Sequence, residues 1–397
     1  MAVRGQDIAI IGTGCRFAGG ATSPSKLWDL LSAPRLVASE VPALKGFYHD
    51  DRHYHGHANV KEAYLLAGEG VVRRFDAAFF SINPLEAKAL DPQIRLLLET
   101  VYEALEAAGQ TIDGLKGSDT AVYAGQSAND YQLLMYRDLE STATYHATGT
   151  SRSMLSNRVS YFFDWHGPSM TSSNLLYDVG DFIAESNFQM LSPDARSRMW
   201  DADANGYARG EGVATLLLKT RQAAEADGDH IECIIRETAL NQDGRTPGQT
   251  MPSAAAQTQL IRDCYARAGL DLTNPGHHPQ YFEAHGTGTP AGDPIEAEAI
   301  RSAFITNKKM QEYGLPVLPL FVGSSKTVIG HTEATAGLAG LLKASLALQN
   351  SMIPPNILLN RLNPHIDLFH DKLQVPISLI PWPVLKGDKG LNGLKWA

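Results

Sequence analysis

Two histidines stand where their surroundings allow chemistry. His285 lies in "EAHGTGTPAGDPIEAEAI", residues 283–300, and His331 in "GSSKTVIGHTEATAGLAGLLK", residues 323–343. Each follows an apolar stretch that reads as a strand and sits among glycines and threonines, and the second opens an alanine-rich helical stretch. In an open α/β architecture the strand ends line the ligand crevice. Two imidazoles meeting there can present N–H groups to one carbonyl oxygen and stabilise the negative charge of an enolate. The glycines let a narrow substrate arm approach the backbone, and Thr287 and Thr289 offer hydroxyls to amides along that arm. Lys326 and Glu333 flank His331 and could pair, which would fix its orientation. A single histidine would read as a satisfied core residue, whereas two in such settings favour chemistry.

The other candidates are weaker. "DADANG", Asp201 to Gly206, opens like a calcium loop, but Gly212 stands where the bidentate glutamate belongs and Glu211 is one place early. His53, His55 and His57 alternate in a polar loop without a carboxylate or thiolate partner, so they read as solvated surface and no metal is expected. "GTGCRFAGG" spells G-x-G with Phe17 in place of the third glycine; it reads as a tight strand-to-helix turn, not a dinucleotide loop. Cys15, Cys233 and Cys264 are too few and too scattered for a disulfide framework. None has the elbow or the neighbouring histidine that makes a thiolate nucleophile.

The elements that must position the histidines alternate along the chain. "DIAIIGTGCRF" reads as a buried strand, "SPSKLWDLLS" as a helix with a Ser-Pro start, and "DPQIRLLLETVYEALEAAG" as a helix ending at Gly109. "TAVYAG", "GVATLLLKT", "IECIIRETALNQDG", "YFEAHGTGT" and "PLFVGSSKTVIGH" read as strands; "SAAAQTQLIRDCYARAGL" and "ATAGLAGLLKASLALQ" read as helices. Such alternation implies an α/β body with a mainly parallel sheet covered on both faces. With 397 residues and no low-complexity linker, two halves sharing one layered body are expected. The formal charge of -9 provides no basic surface for nucleic acid or an anionic membrane. The apolar run "IAIIG" near the start is too short for a signal segment or a span, so the chain reads as cytosolic.

Long motifs then carry a resemblance. "IAIIGTGCRFAGG", "FDAAFFSINPLEAKALDPQIRLLLETVYEALEAAG", "SNRVSYFFDWHGPSMT", "MLSPDARSRMWDADANGYARGEG", "NQDGRTPGQTMP", "EAHGTGTPAGDPIEAEAI" and "GHTEATAGLAG" resemble the ketosynthase (β-ketoacyl synthase) domain of fungal highly reducing type I polyketide synthases. The resemblance implies a thiolase-like fold, two similar α/β halves in a five-layered body, with residues 7–250 and 251–383 as the halves and 384–397 as a divergent tail. It also implies a Cys-His-His centre in which His285 and His331 are catalytic, Lys326 and Glu333 form a supporting ion pair, and Thr287 and Thr289 bind substrate. The reaction implied is decarboxylative Claisen condensation of malonyl with an acyl chain. The chain itself needs no cofactor; its substrates would ride on the phosphopantetheine of an acyl carrier protein, its partner beside other synthase domains and a second copy of itself.

The sequence departs from that pattern inside "GPSMTSSNLLYDVGDF". The family continues from "GPSMT" into "IDTACSSSL", whose cysteine takes the acyl chain as a thioester, whereas Thr171 here is followed directly by Ser172. The block lost covers the elbow, its helix and much of the next strand, in frame on both sides. The family's closing "GFGGTNAH" is likewise replaced by "WPVLKGDKGLNGLKWA", and Ile94 stands where the family has histidine. Three expectations follow: the polypeptide is inactive as a condensing enzyme, the family dimer is lost, and the isolated chain is poorly soluble or only partly folded. The alternative is a non-catalytic remnant that binds carrier protein or serves as a scaffold.

Overall fold

The computed structural model describes residues 6–383 apart from 52, 67–69, 139, 141–143, 171–178, 249–250, 273, 306–318 and 368–371. The junction between Thr171 and Ser172 and the tail from 384 lie outside the described residues. The first strand, β1 (Ile8–Phe17), is buried along nearly its whole length, and α1 (Pro24–Ser32) begins where the Ser23 hydroxyl accepts from the Lys26 N–H. Helix α2 (Pro92–Ala107) starts in the same manner: Asp91 accepts from the Gln93 N–H at 2.8 Å, Pro92 takes the first turn, and Gly109 at φ 66° ends it. β2 (Val122–Tyr123), α3 (Met154–Phe163), β3 (Ser169–Met170) and α4 (Gly180–Asn187) follow, then β4 (Gly212–Thr220) and β5 (Cys233–Ile235). The second half supplies α5 (Ala254–Arg267), β6 (Tyr281–Glu283), α6 (Gly292–Phe304), β7 (Leu320–Gly323), α7 (Lys326–Ile329), α8 (Ala336–Asn350) and β8 (Leu373–Gln374).

These elements stack in five layers. α2 lies on one face of the β4-β1-β5 sheet, while Cys15 and Phe17 on the other face pack against Leu27, Leu30 and Leu31 of α1 and Ala339, Leu342 and Leu346 of α8. The far side of α8 meets the second sheet, where Ala347 packs with Tyr281 of β6. That sheet, ordered β8-β7-β6, is closed on its outer face by α6 and α5, with Phe304 and Ile300 against Leu320 and Val322. The order is therefore α, β, α, β, α, and α8, the helix that follows His331, is the layer both halves share.

Two expectations need correction. The sheet around β1 is antiparallel, not parallel: β4 runs against one edge from Ile8↔Thr220 to Phe17↔Gly212 and β5 against the other. Parallel pairing holds for β6–β7, β7–β8 and β2–β3. Of "GTGCRFAGG", expected to turn from strand to helix, the first two glycines take no part in the turn. They sit inside β1, and the chain turns farther on, at Gly19 (φ 72°) and Gly20 (φ 79°). Gly12 and Gly14 let α2 press onto the strand, since a Cβ at Gly12 would lie 2.2 Å from the Ala104 carbonyl oxygen and one at Gly14 2.4 Å from that of Thr100.

Gly12→Ala is accordingly expected to cost about 1–3 kcal/mol by forcing α2 off the sheet. Gly337→Ala, where nothing lies within 4 Å of the added methyl, should be neutral or slightly stabilising. Thermal melts of the two variants check this; equal midpoints would show that the helix yields freely.

Candidate active site

His285 lies just beyond the end of β6, on a loop built around two carboxylates of α6. Glu296 accepts from the His285 N–H at 2.7 Å and from the Gly286 N–H at 2.8 Å, one with each oxygen. Asp293 accepts from the Gly288 N–H at 3.1 Å and from the Trp200 N–H at 2.8 Å. Buried amides without a partner would be costly, so these two acids fix a loop that has no sheet ladder of its own. Gly286 (φ 46°) and Gly288 (φ 82°) supply left-handed backbone where side chains at Ser324 and Met199 and the Arg198 backbone leave no room for a Cβ. Thr287 and Thr289 lie on this loop with their hydroxyls 3.2 Å apart, and the Thr289 oxygen also accepts from the Gly292 N–H at the start of α6.

His331 arrives from the other loop. Gly330, at φ 72°, crosses the Tyr64 ring, and His331 is then stitched to the segment before β4: its N–H donates to the Ala208 carbonyl at 2.7 Å and its carbonyl accepts from the Gly210 N–H at 2.8 Å. Its Nδ1 accepts from the Glu333 N–H at 3.0 Å, so the imidazole proton is placed on Nε2. The two rings meet edge to face, centroids 5.3 Å apart at 84°, with Tyr207 packed 5.2 Å from His331.

Both imidazoles are held in the neutral form at neutral pH. Burial, then Lys326, His285 and Arg209, pulls the His331 pKa down to about 2. His285, which keeps one side open to solvent, is lowered by the protein around the rest of its ring and by Lys326. A neutral imidazole can donate N–H to a developing oxyanion without a proton having to leave first.

Lys326 itself is buried at the start of α7. Its expected ion pair with Glu333 does not form: among the described residues no contact within 4 Å joins them, and a Glu333 carboxylate oxygen is buried without a hydrogen-bond partner. The reason is geometric, because the Glu333 backbone at φ 46° turns to offer its N–H to His331. Glu333 feels Arg209 more strongly than Lys326. Arg209 in turn is paired with Glu185 at 3.3 Å and Asp181 at 3.6 Å on α4.

None of the three cysteines is near activation. Burial on β1 pushes the Cys15 thiol up to about 12, and burial also raises Cys233 on β5 and Cys264 on α5. Asp201 of "DADANG" anchors a turn: its side chain accepts from the Asn360 and Arg361 N–H groups at 2.6 and 3.0 Å and from the Asp203 N–H at 2.8 Å. His53 and His55 are exposed and His57 is half-buried against Tyr54, and Ile94 is buried in the apolar core around α2, where an isoleucine needs no polar partner. Sequence reasoning missed Glu296 and Asp293, although an acidic pair three apart at the opening of α6 is a pattern suited to collecting loop amides.

Comparison with known proteins agrees with this geometry. The family model described as "Beta-ketoacyl synthase, N-terminal domain" matches residues 5–174 and 171–224, and "Beta-ketoacyl synthase, C-terminal domain" matches 232–360. A polyketide synthase-nonribosomal peptide synthetase, TwmB of Talaromyces wortmannii, is 68% identical over 413 residues, covering 96% of this chain and 14% of that protein. The highly reducing polyketide synthase calA of Penicillium decumbens is 55% identical, covering 97% of this chain and 14% of its own length. The chain thus spans about a seventh of these relatives. The 413 aligned positions with TwmB cover some 381 of the 397 residues here, which leaves about 32 positions of the relative without a counterpart. Among solved structures, the oxazolomycin ketosynthase domain OzmH KS7 of Streptomyces albus superposes with a TM-score of 0.87 at 32% identity over 98% of this chain and 70% of its own. The module 6 ketosynthase of the Bacillus subtilis bacillaene synthase gives 0.82 at 31% identity, over 96% and 68%. With both halves matched in order, in a thiolase-like fold, the chain belongs to the beta-ketoacyl synthase family.

Proposed function

We propose that the chain is the ketosynthase domain of a polyketide synthase in which the enolate-forming half of the reaction centre is retained and the acyl-accepting half is lost. The observation that carries this reading is the pair of neutral imidazoles meeting at 5.3 Å above two glycine loops. Malonyl on the phosphopantetheine of an acyl carrier protein would lie along Thr287 and Thr289 with its thioester carbonyl between the rings. Loss of carbon dioxide sends the bond's electron pair into that carbonyl as an enolate, which His285 and His331 stabilise through their N–H groups. In the family the enolate then attacks an acyl thioester on cysteine. This polypeptide has no cysteine placed to hold one, so the enolate can only take a proton and leave as acetyl. The region 171–174, where the two stretches matched by the N-terminal family model meet, coincides with the break in "GPSMTSSNLL" and supports the same conclusion.

The test is release of labelled carbon dioxide from malonyl carrier protein, run beside an intact ketosynthase. The missing elbow would have given one backbone donor to the oxyanion, and losing one such donor commonly costs about 10²- to 10³-fold. We expect a rate lower by that factor and no condensed product. Condensation with an acyl primer would overturn the proposal, whereas carrier binding with neither step would favour a scaffold.

A further inference from the structure

A second ionic group lies behind the reaction centre. Lys343 of α8, 1% exposed at its side chain, places its ammonium 2.9 Å from Oε2 of Glu283 at the end of β6. The other oxygen, Oε1, accepts from the Ser325 N–H at 2.6 Å, and the Tyr281 hydroxyl donates to Oε2. The site is closed tightly. A Cβ on Gly323 would lie 2.7 Å from the Tyr281 hydroxyl oxygen and 3.1 Å from the Lys343 ammonium, and one on Gly340 3.1 Å from Cγ of Glu283.

We propose that Glu283 and Lys343 form a positioning pair for the reaction centre: Glu283 joins the three segments that carry His285, Lys326 and His331 and serves as the counter-charge that Lys343 and Lys326 share. Connectivity carries the inference. Glu283 is two residues before His285, its partner Ser325 immediately precedes Lys326, and Lys343 lies on the helix that follows His331. A stabilising role alone would not call for an ion pair here, because burying two charges gains little over apolar side chains of the same size. Its electrostatic reach is also specific. Burial lowers the Lys326 pKa, and the ammonium faces Glu283 from β6, Glu296 from α6, Glu333 from the turn before α8, the like charge of Lys343 from α8, and the two neutral imidazoles; Glu283 is the foremost of the charges that oppose the effect of burial. After burial, Lys326 is the foremost charge that lowers both imidazoles, alone for His285 and together with His285 and Arg209 for His331. Lys343 therefore acts on the histidines through Glu283 and Lys326 and touches neither ring.

The inference rests on the reading of His285, Lys326 and His331 as a reaction centre, but its test does not require turnover. Competitive labelling with acetic anhydride across a pH series, read by mass spectrometry at Lys326, reports the pH at which that amine loses its proton. Lys343→Met removes a like charge and leaves Glu283 to Lys326, so the midpoint should move up by about one pH unit. Glu283→Gln removes the counter-charge, so the midpoint should move down by a similar amount. A pair that only holds the core together would raise Lys326 reactivity in both variants by loosening the site, with no opposite movement of the midpoint; that result overturns the proposal. Glu283→Gln strands a buried ammonium and can fail to fold. Lys343→Met leaves Glu283 bonded to Ser325 and Tyr281, and its midpoint decides alone: a rise supports the pair, and no change or a fall sinks it. Failure of the carbon dioxide assay, by contrast, would count against the proposed function and leave this result standing.

Discussion

Incubated with an acyl-pantetheine thioester, the chain stays at its unmodified mass. Transacylation needs a thiolate that can reach a thioester, and each cysteine fails on the physical conditions for one. Cys15 is wholly buried in β1 between α1 and α8, and that burial pushes its thiol up to about 12, so at neutral pH it stays protonated. Cys233 is half-buried on β5 and Cys264 half-buried on α5, both with raised pKa because burial outweighs their polar neighbours. Among the described residues no imidazole enters the surroundings that set the pKa of any of them. Intact-protein mass spectrometry with excess acyl thioester is the measurement, and one acyl group per chain at any cysteine would show that the nucleophile survives elsewhere. Inserting the family's "IDTACSSSL" elbow, with its helix, between Thr171 and Ser172 should turn this result into stoichiometric labelling at the cysteine so introduced.

The histidine and threonines of the candidate site are legible because they stand in adjacent letters: a glycine loop needs its glycines in sequence, and "HGTGT" carries both an imidazole and the hydroxyls. What holds them is not. The carboxylates of Glu296 and Asp293 gain their role only when the loop folds back and offers its N–H groups. Glu283 and Lys343 are 60 positions apart, and nothing local marks either as buried. Closeness in sequence misled in the opposite sense for Lys326 and Glu333, whose side chains diverge because the intervening backbone turns at Gly330 and Glu333. The fold shows the same division. Individual strands and helices follow from periodicity and capping, but β1 pairs antiparallel with β4 some 200 residues on, a contact no local pattern specifies.

Light scattering is expected to find no monodisperse dimer, and a thermal melt no single sharp transition at the temperature of an intact ketosynthase. β2 and β3 are the reason. They form a two-stranded parallel pair, Val122↔Ser169 and Tyr123↔Met170, with no hydrogen-bonded link to the β4-β1-β5 sheet among the described residues. Parallel strands are ordinarily buried on both faces, yet Tyr123 is 69% and Met170 61% exposed, side by side in that register. On α3, which packs beneath them, Tyr161 is 80% exposed. The resemblance implies the cause: a block covering the elbow, its helix and much of the next strand would be missing after Thr171. Leaving that surface in water and that edge open weighs heavily against a typical stability of roughly 5–15 kcal/mol. Insertion of the corresponding segment from the Talaromyces wortmannii relative should cover the patch and raise the melting midpoint by more than about 10 °C. It should also bring the mass in solution to that of two chains. A sharp melt and a dimer without the insertion would mean that this chain has found another way to close the sheet, and the scaffold reading would then be the one to pursue.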